Sequence, residues 1–139
     1  MTSDAFIVDV TQDWEIACDV QQRFTQNPGP TPGLTIGTFS YSGRCCQLRA
    51  LGGDCYHFVP LPQNHLALAI ADASGKGLAA ALMIANVQSS LRTAASFAPA
   101  HPAAVVDAVN RQVHSSSLDD RFATLFYGVF DGTKRRLRM

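Results

Sequence analysis

The chain has 139 residues, 47% hydrophobic and 16% charged, with 11 basic and 11 acidic side chains and a formal net charge of zero. That composition describes one folded domain with a real core, and neither two domains nor a disordered segment. The balanced charge leaves no nucleic-acid footprint, no apolar run approaches the roughly 20 residues of a membrane span, and the acidic start MTSDAFIVDV lacks a secretory signal. Cys18, Cys45, Cys46 and Cys55 show no C-x-x-C spacing, which predicts a reduced, cytoplasmic protein with buried thiols.

Residues 1–12 read as a short lead-in. Asp13 to Thr25 (DWEIACDVQQRFT) predicts a helix with Trp14, Ala17, Val20 or Gln21, and Phe24 on one stripe. The connector Asn27-Pro28-Gly29-Pro30-Thr31-Pro32-Gly33 can be crossed by neither helix nor strand. Residues 1–30 are therefore expected to form a lead-in and a helix for packing or homodimer contact, and residues 31–139 the main body. Leu34 to Tyr41 and Cys45 to Leu51 read as strands around Ser42-Gly43-Arg44, with Cys45 and Cys46 on two faces of the second.

Gly52-Gly53-Asp54-Cys55-Tyr56-His57-Phe58 opens a strand that runs to a turn at Pro62-Gln63-Asn64, and His65 to Ala71 (HLALAIA) returns from it. A turn centred on Gln63 sets Asp54 opposite Asp72. Directly opposed residues share a face with Cβ atoms about 5 Å apart, and like charges there destabilise the pair. A divalent cation between the two reverses that sign, because hard oxygen donors suit Mg²⁺ or Mn²⁺. Taken singly, Asp54 would merely follow a Gly-Gly turn and Asp72 would cap the next helix. A slip of one residue would also put them on opposite faces. One strand pair supplying both favours a site.

Ser74-Gly75-Lys76-Gly77 lies between a strand and a helix. A Walker loop is excluded, because Ile70 and Gly77 stand where it requires Gly and Ser or Thr. What remains is a tight turn that brings backbone close to a ligand, with Gly53, Ser74, Gly75 and Lys76 as candidate substrate-binding residues. The plainer alternative is that the glycines only permit the turn and Lys76 is a solvated charge. Ser74 lacks a nucleophile elbow, and the four histidines form no H-E-x-x-H pattern.

Leu78 to Phe97 predicts a helix whose Ala79, Ala80, Ala81 and Ala85 permit close approach to a sheet, with Leu78, Leu82, Ala85 and Leu91 supplying apolar contacts. Pro99 and Pro102 end it and start another, over Ala103 to Ser115. Phe122 to Phe130 (FATLFYGVF) predicts a strand buried on both faces. Asp131 to Lys134 forms a turn, and Arg135 to Met139 begins a last strand. The order gives an α+β protein with antiparallel sheet.

GGD-x-Y, then D-x-SGKG-x-x-AAL, then Asn110-Arg111 and Arg121-Phe122-Ala123-Thr124-Leu125-Phe126-Tyr127-Gly128 together resemble the SpoIIE-like branch of the metal-dependent (PPM) protein serine/threonine phosphatases. The helix with Val20-Gln21 is similar to the leading helix of that branch. The resemblance implies an αββα sandwich of antiparallel sheets flanked by helices, with its C-terminal part missing, so that 31–139 is the N-terminal portion of the domain. It implies that Asp54 matches the first-strand metal ligand and Asp72 the bridging ligand, with the Ala73 backbone carbonyl beside it. Two Mn²⁺ or Mg²⁺ ions would generate a hydroxide that attacks phosphorus without a phosphoenzyme. The implied substrate is phosphoserine or phosphothreonine on a regulatory protein, such as an anti-sigma factor antagonist. Two departures stand out: His57 occupies the position of the family's second acid in GGD-x-Y-D, and no NAGH-like or TDG-like motif occurs before Met139. The alternative expectation is a catalytically incomplete module of the same fold that acts by binding a protein.

Overall fold

The computed structural model describes residues 3–25, 34–47 and 50–139. The connector from Asn27 to Gly33 lies outside them, as do the side chain of Phe24 and residues 48 and 49 of the anticipated second strand. The described residues form helix α1 (Ser3–Thr25), a hairpin of β1 (Leu34–Ile36) and β2 (Phe39–Tyr41), strands β3 (Asp54–Leu61) and β4 (His65–Ala73), helices α2 (Leu78–Phe97) and α3 (Pro102–Ser116), and strands β5 (Ala123–Asp131) and β6 (Arg136–Arg138). The main sheet has the order β3-β4-β5-β6 and is antiparallel throughout. The expected α+β class is observed.

Alternation along the strands gives the sheet two distinct faces. Cys55, Ala67, Ala69, Ala71, Ala73, Tyr127 and Val129 point toward the helices and meet Ile84, Val87 and Leu91 of α2 and Val105 and Val109 of α3. The run of alanines on β4 is what lets α2 lie close, because only a methyl group stands between helix and backbone. On the other face, the β1–β2 hairpin covers one end through edge-to-face contacts of Phe39 with Phe130 and Tyr41 with Phe58, both with centroids 4.9 Å apart. Toward the other end of that face, Ile70 and Phe126 remain exposed.

Several boundaries differ from expectation, each for a physical reason. The supposed lead-in is helical from Ser3, since no glycine or proline interrupts residues 3–25. Leu34 to Tyr41 is two short strands, because Gly37 takes φ 58° and turns the chain within two residues. No strand forms over the described part of Cys45 to Leu51. Side chains satisfy the edge of β3 there instead: Gln47 Nε2 donates to the Asp54 carbonyl at 2.7 Å, and the Tyr56 hydroxyl donates to the Gly43 carbonyl. Cys45 and Cys46 are thus not on a strand, and of the four free thiols only Cys55 is buried.

Helix α2 has the anticipated bounds and buries Ala80, Ala81 and Leu91 as expected, but not its first leucines. Leu78 and Leu82 are exposed, and the packed residues are Ala80, Ala81, Ile84, Val87, Gln88, Leu91 and Ala95. β5 is buried on both faces only in its second half, because nothing among the described residues covers Phe122 and Phe126.

Candidate functional site

β3 and β4 pair with Asp54 opposite Asp72, the register expected from a turn centred on Gln63. Gln63 and Asn64 adopt φ 58° and 61°, so the chain reverses within Pro62 to Asn64 and the register is fixed. Both aspartates stand on the face turned away from the helices, beside Tyr56 and Ile70, and both are exposed. The Asp54 carboxyl is pushed above its ordinary range, first by partial burial, then by the charge of Asp72 and side-chain hydrogen bonding with it.

The surrounding backbone is held by contacts from three directions. Gln21 of α1 grips Gly52 at both ends, donating from Nε2 to its carbonyl at 2.7 Å and accepting its N–H at 3.2 Å. Gly53 accepts from the Ala73 N–H at 2.9 Å, and a Cβ at Gly53 would lie 3.0 Å from both the Ala73 carbonyl oxygen and the Ala80 Cβ. Only a glycine lets the strand start, the strand end and α2 meet at this point. On the far side, Ser74 donates its N–H to the Phe122 carbonyl at 2.7 Å and accepts the Phe122 N–H on Oγ at 3.0 Å. Gly75 and Gly77 both have left-handed φ, 92° and 68°, so the turn after Ser74 needs them.

A cleft of about 160 Å³ at this end of the sheet is lined by Gly53, Asp54, Asp72, Ala73, Gly75 and Lys76, together with Gln47, Gly52 and Gly77. Six of the seven residues singled out from sequence therefore meet. Ser74 stands behind the wall as a clamp. A larger recess of about 510 Å³ between α2 and α3 contains no titratable side chain, so chemistry and not size selects the cleft. Asp72 lies within β4, and α2 is capped by Gly77 without a side-chain hydrogen bond, which removes the helix-capping explanation for that aspartate.

Two carboxylates and a main-chain carbonyl are the hard oxygen donors that Mg²⁺ and Mn²⁺ take. Among the described residues, no group of three or more His, Cys, Asp or Glu side chains gathers, so Asp54 and Asp72 are the side-chain donors here. His57 does not join them. It sits on the opposite face of β3, paired with Ala69 and 4% exposed, and burial with the nearby Arg92 charge lowers its pKa to about 4. The imidazole is neutral packing under α2. Gln47 was not marked by any sequence signal, and Gln21 and Arg121 stood in a helical stripe and a motif without a contact assigned; their roles depend on contacts across 7, 31 and 46 residues.

No helix among the described residues is long and apolar enough to cross a membrane. The family model for stage II sporulation protein E (SpoIIE) matches residues 62–139. The chain is also 30% identical over 129 residues to the phosphoserine phosphatase RsbU of Bacillus subtilis (strain 168), a match that spans 92% of this chain and 36% of that protein. The chain thus spans about a third of the length of the curated relative it matches. With the GGD and D-x-SGKG segments converging on one cleft and the family match running through the second of them, this chain belongs to the SpoIIE family.

Proposed function

We propose that this chain carries part of the metal site of a PPM-type phosphatase that hydrolyses phosphoserine or phosphothreonine on a regulatory protein, such as an anti-sigma factor antagonist. The observation that carries the reading is the Asp54–Asp72 register: two like charges opposed on one sheet face, next to a glycine-built loop. Without a counter-ion that arrangement is unfavourable, and a divalent cation makes it favourable. Asp54, Asp72 and the Ala73 carbonyl would contribute donors to two Mn²⁺ or Mg²⁺ ions. When bound, such ions supply the positive charge that acidifies water and stabilises phosphoryl oxygens. Gly53 and Gly75 keep side chains out of the cleft, and Lys76 contributes a cation at its rim.

Calorimetric titration of Mn²⁺ into the chain, beside Asp54→Asn and Asp72→Asn, tests the metal site. Binding that both substitutions weaken supports the reading. Unchanged binding in either variant would overturn it. Phosphate release from phosphoserine proteins separates an enzyme from a module that only binds a protein.

Exposed apolar side chains on α1 support a companion reading, a homodimer contact through the Asp13–Thr25 part of the helix. Trp14, Ile16 and Val20 are all exposed there, and Gln21 contacts Gly52.

A further inference from the structure

We propose that Arg121 is a phosphate-binding residue of this cleft, presenting its guanidinium across Gly75 to the phosphorylated group; the inference rests on the phosphatase reading above. Gly75 lines the cleft with Asp54, Asp72 and Lys76. A Cβ on Gly75 would come within 2.3 Å of Arg121 Nη1, so the guanidinium lies directly against this wall of the cleft. The glycine is favoured by its φ of 92°, and the tip of the arginine fills the space a Cβ would take.

The arginine is held there by its neighbours. Phe122, the next residue, is joined to Ser74 by two hydrogen bonds of 2.7 and 3.0 Å, and the Arg121 N–H donates to the Leu118 carbonyl at 2.9 Å. The main chain is therefore fixed on both sides of the side chain that must reach the loop. The fork itself is not consumed. Its ion pair is Nε with Asp120 Oδ1 at 3.6 Å, and that aspartate side chain is 76% exposed, a pairing worth little. Among the described residues, the two Nη groups make no hydrogen bond.

Charge supplies the reason for a second cation. The cleft offers two carboxylates against one ammonium, Lys76. Before any metal binds, that balance opposes a phosphate monoester dianion, and a planar guanidinium can take two of its oxygens side by side. Arg121 adds a second cation beside Gly75, at the border between this cleft and the neighbouring recess that it lines with Asn110, His114 and Phe122.

The test titrates inorganic phosphate into the ¹⁵N-labelled 139-residue chain, with and without Mg²⁺, following the Arg121 Nε–Hε resonance and fitting the dissociation constant. A saturable shift of that resonance is expected. Arg121→Ala should weaken phosphate binding about tenfold, as for loss of one charge-assisted pair. Arg121→Lys, which keeps the charge and loses the fork, should fall between Arg121→Ala and the parent. Gly75→Ala, which displaces the guanidinium, should also weaken binding, and melting temperatures identify any variant that fails to fold. A stationary Arg121 resonance, an unchanged constant in Arg121→Ala, or no phosphate binding by the parent chain would each overturn the proposal. If Mg²⁺ binds through Asp54 and Asp72 while Arg121 stays silent, only this inference fails. If Arg121 responds to phosphate and no metal binds, the inference stands and the metal-dependent reading falls.

Discussion

Asp54 and Asp72 repel each other across β3 and β4, and partial burial adds to the penalty, so Asp54 keeps its proton to higher pH than an ordinary carboxyl. A carboxyl raised in the folded state favours folding at low pH and opposes it once deprotonated. Asp72→Asn should therefore raise metal-free stability by roughly 0.2–1 kcal/mol at neutral pH, read by urea unfolding in a chelator. In the same variant, the stabilisation by Mn²⁺ expected of the parent should disappear. His57 titrates in the opposite sense. Burial and then Arg92 lower its pKa from 6.5 to about 4, so as pH falls through that window the unfolded chain takes a proton that the folded chain refuses. Melting temperature should drop between pH 6.5 and 4 and level off below, and His57→Leu should lose part of that slope. A variant with the full slope would show that other groups carry it.

At the scale of elements, α2 joins the cleft to the core. Its first residues follow the Gly75–Gly77 turn, and its buried face rests on the alanines of β4. Within that apolar contact lies Gln88, 2% exposed, whose amide makes no well-formed hydrogen bond and has the weak Cys55 thiol beside it. Gln88→Met should stabilise the fold by about 1–3 kcal/mol, since it removes a poorly compensated buried amide and keeps the volume. Gly53→Ala should do the reverse, by about 1–3 kcal/mol, because its methyl would press on the Ala73 carbonyl and Ala80 at 3.0 Å. That same change should weaken Mn²⁺ binding, as the carbonyl it displaces adjoins Asp72. Equal unfolding midpoints for Gly53→Ala and the parent would refute the steric account.

Across the whole molecule, the helix-facing side of the sheet is closed and the other side is closed at one end only. The open end holds the aspartate pair, Ile70 and Phe126, and α1 exposes Trp14 and Val20. If α1 pairs with a second copy, Trp14→Asp with Val20→Asp should halve the mass seen by sedimentation without changing the helical signal. A mass that stays unchanged would remove the dimer reading. Cys46 is exposed and Cys55 buried, so a thiol reagent should label the first readily and the second only on unfolding.

What the sequence determined by itself were the features set by local chemistry: the reversal at Gln63, and with it the Asp54–Asp72 register; the bounds of α2; the breaks at Gly75 and Gly77; and the α+β order. Each follows from turn residues and periodicity within a short stretch, where few alternatives compete. Tertiary structure alone decided which face each element buries. Leu78 and Leu82 were expected inside and lie outside, because β4 offers alanines to the other side of α2. His57 was aligned with an acid and points into the core, because neighbouring strand positions alternate between faces and the helices cover that one. Gln21, Gln47 and Arg121 meet Gly52, the Asp54 carbonyl and Gly75 only after separate segments pack, and no periodicity carries such a contact.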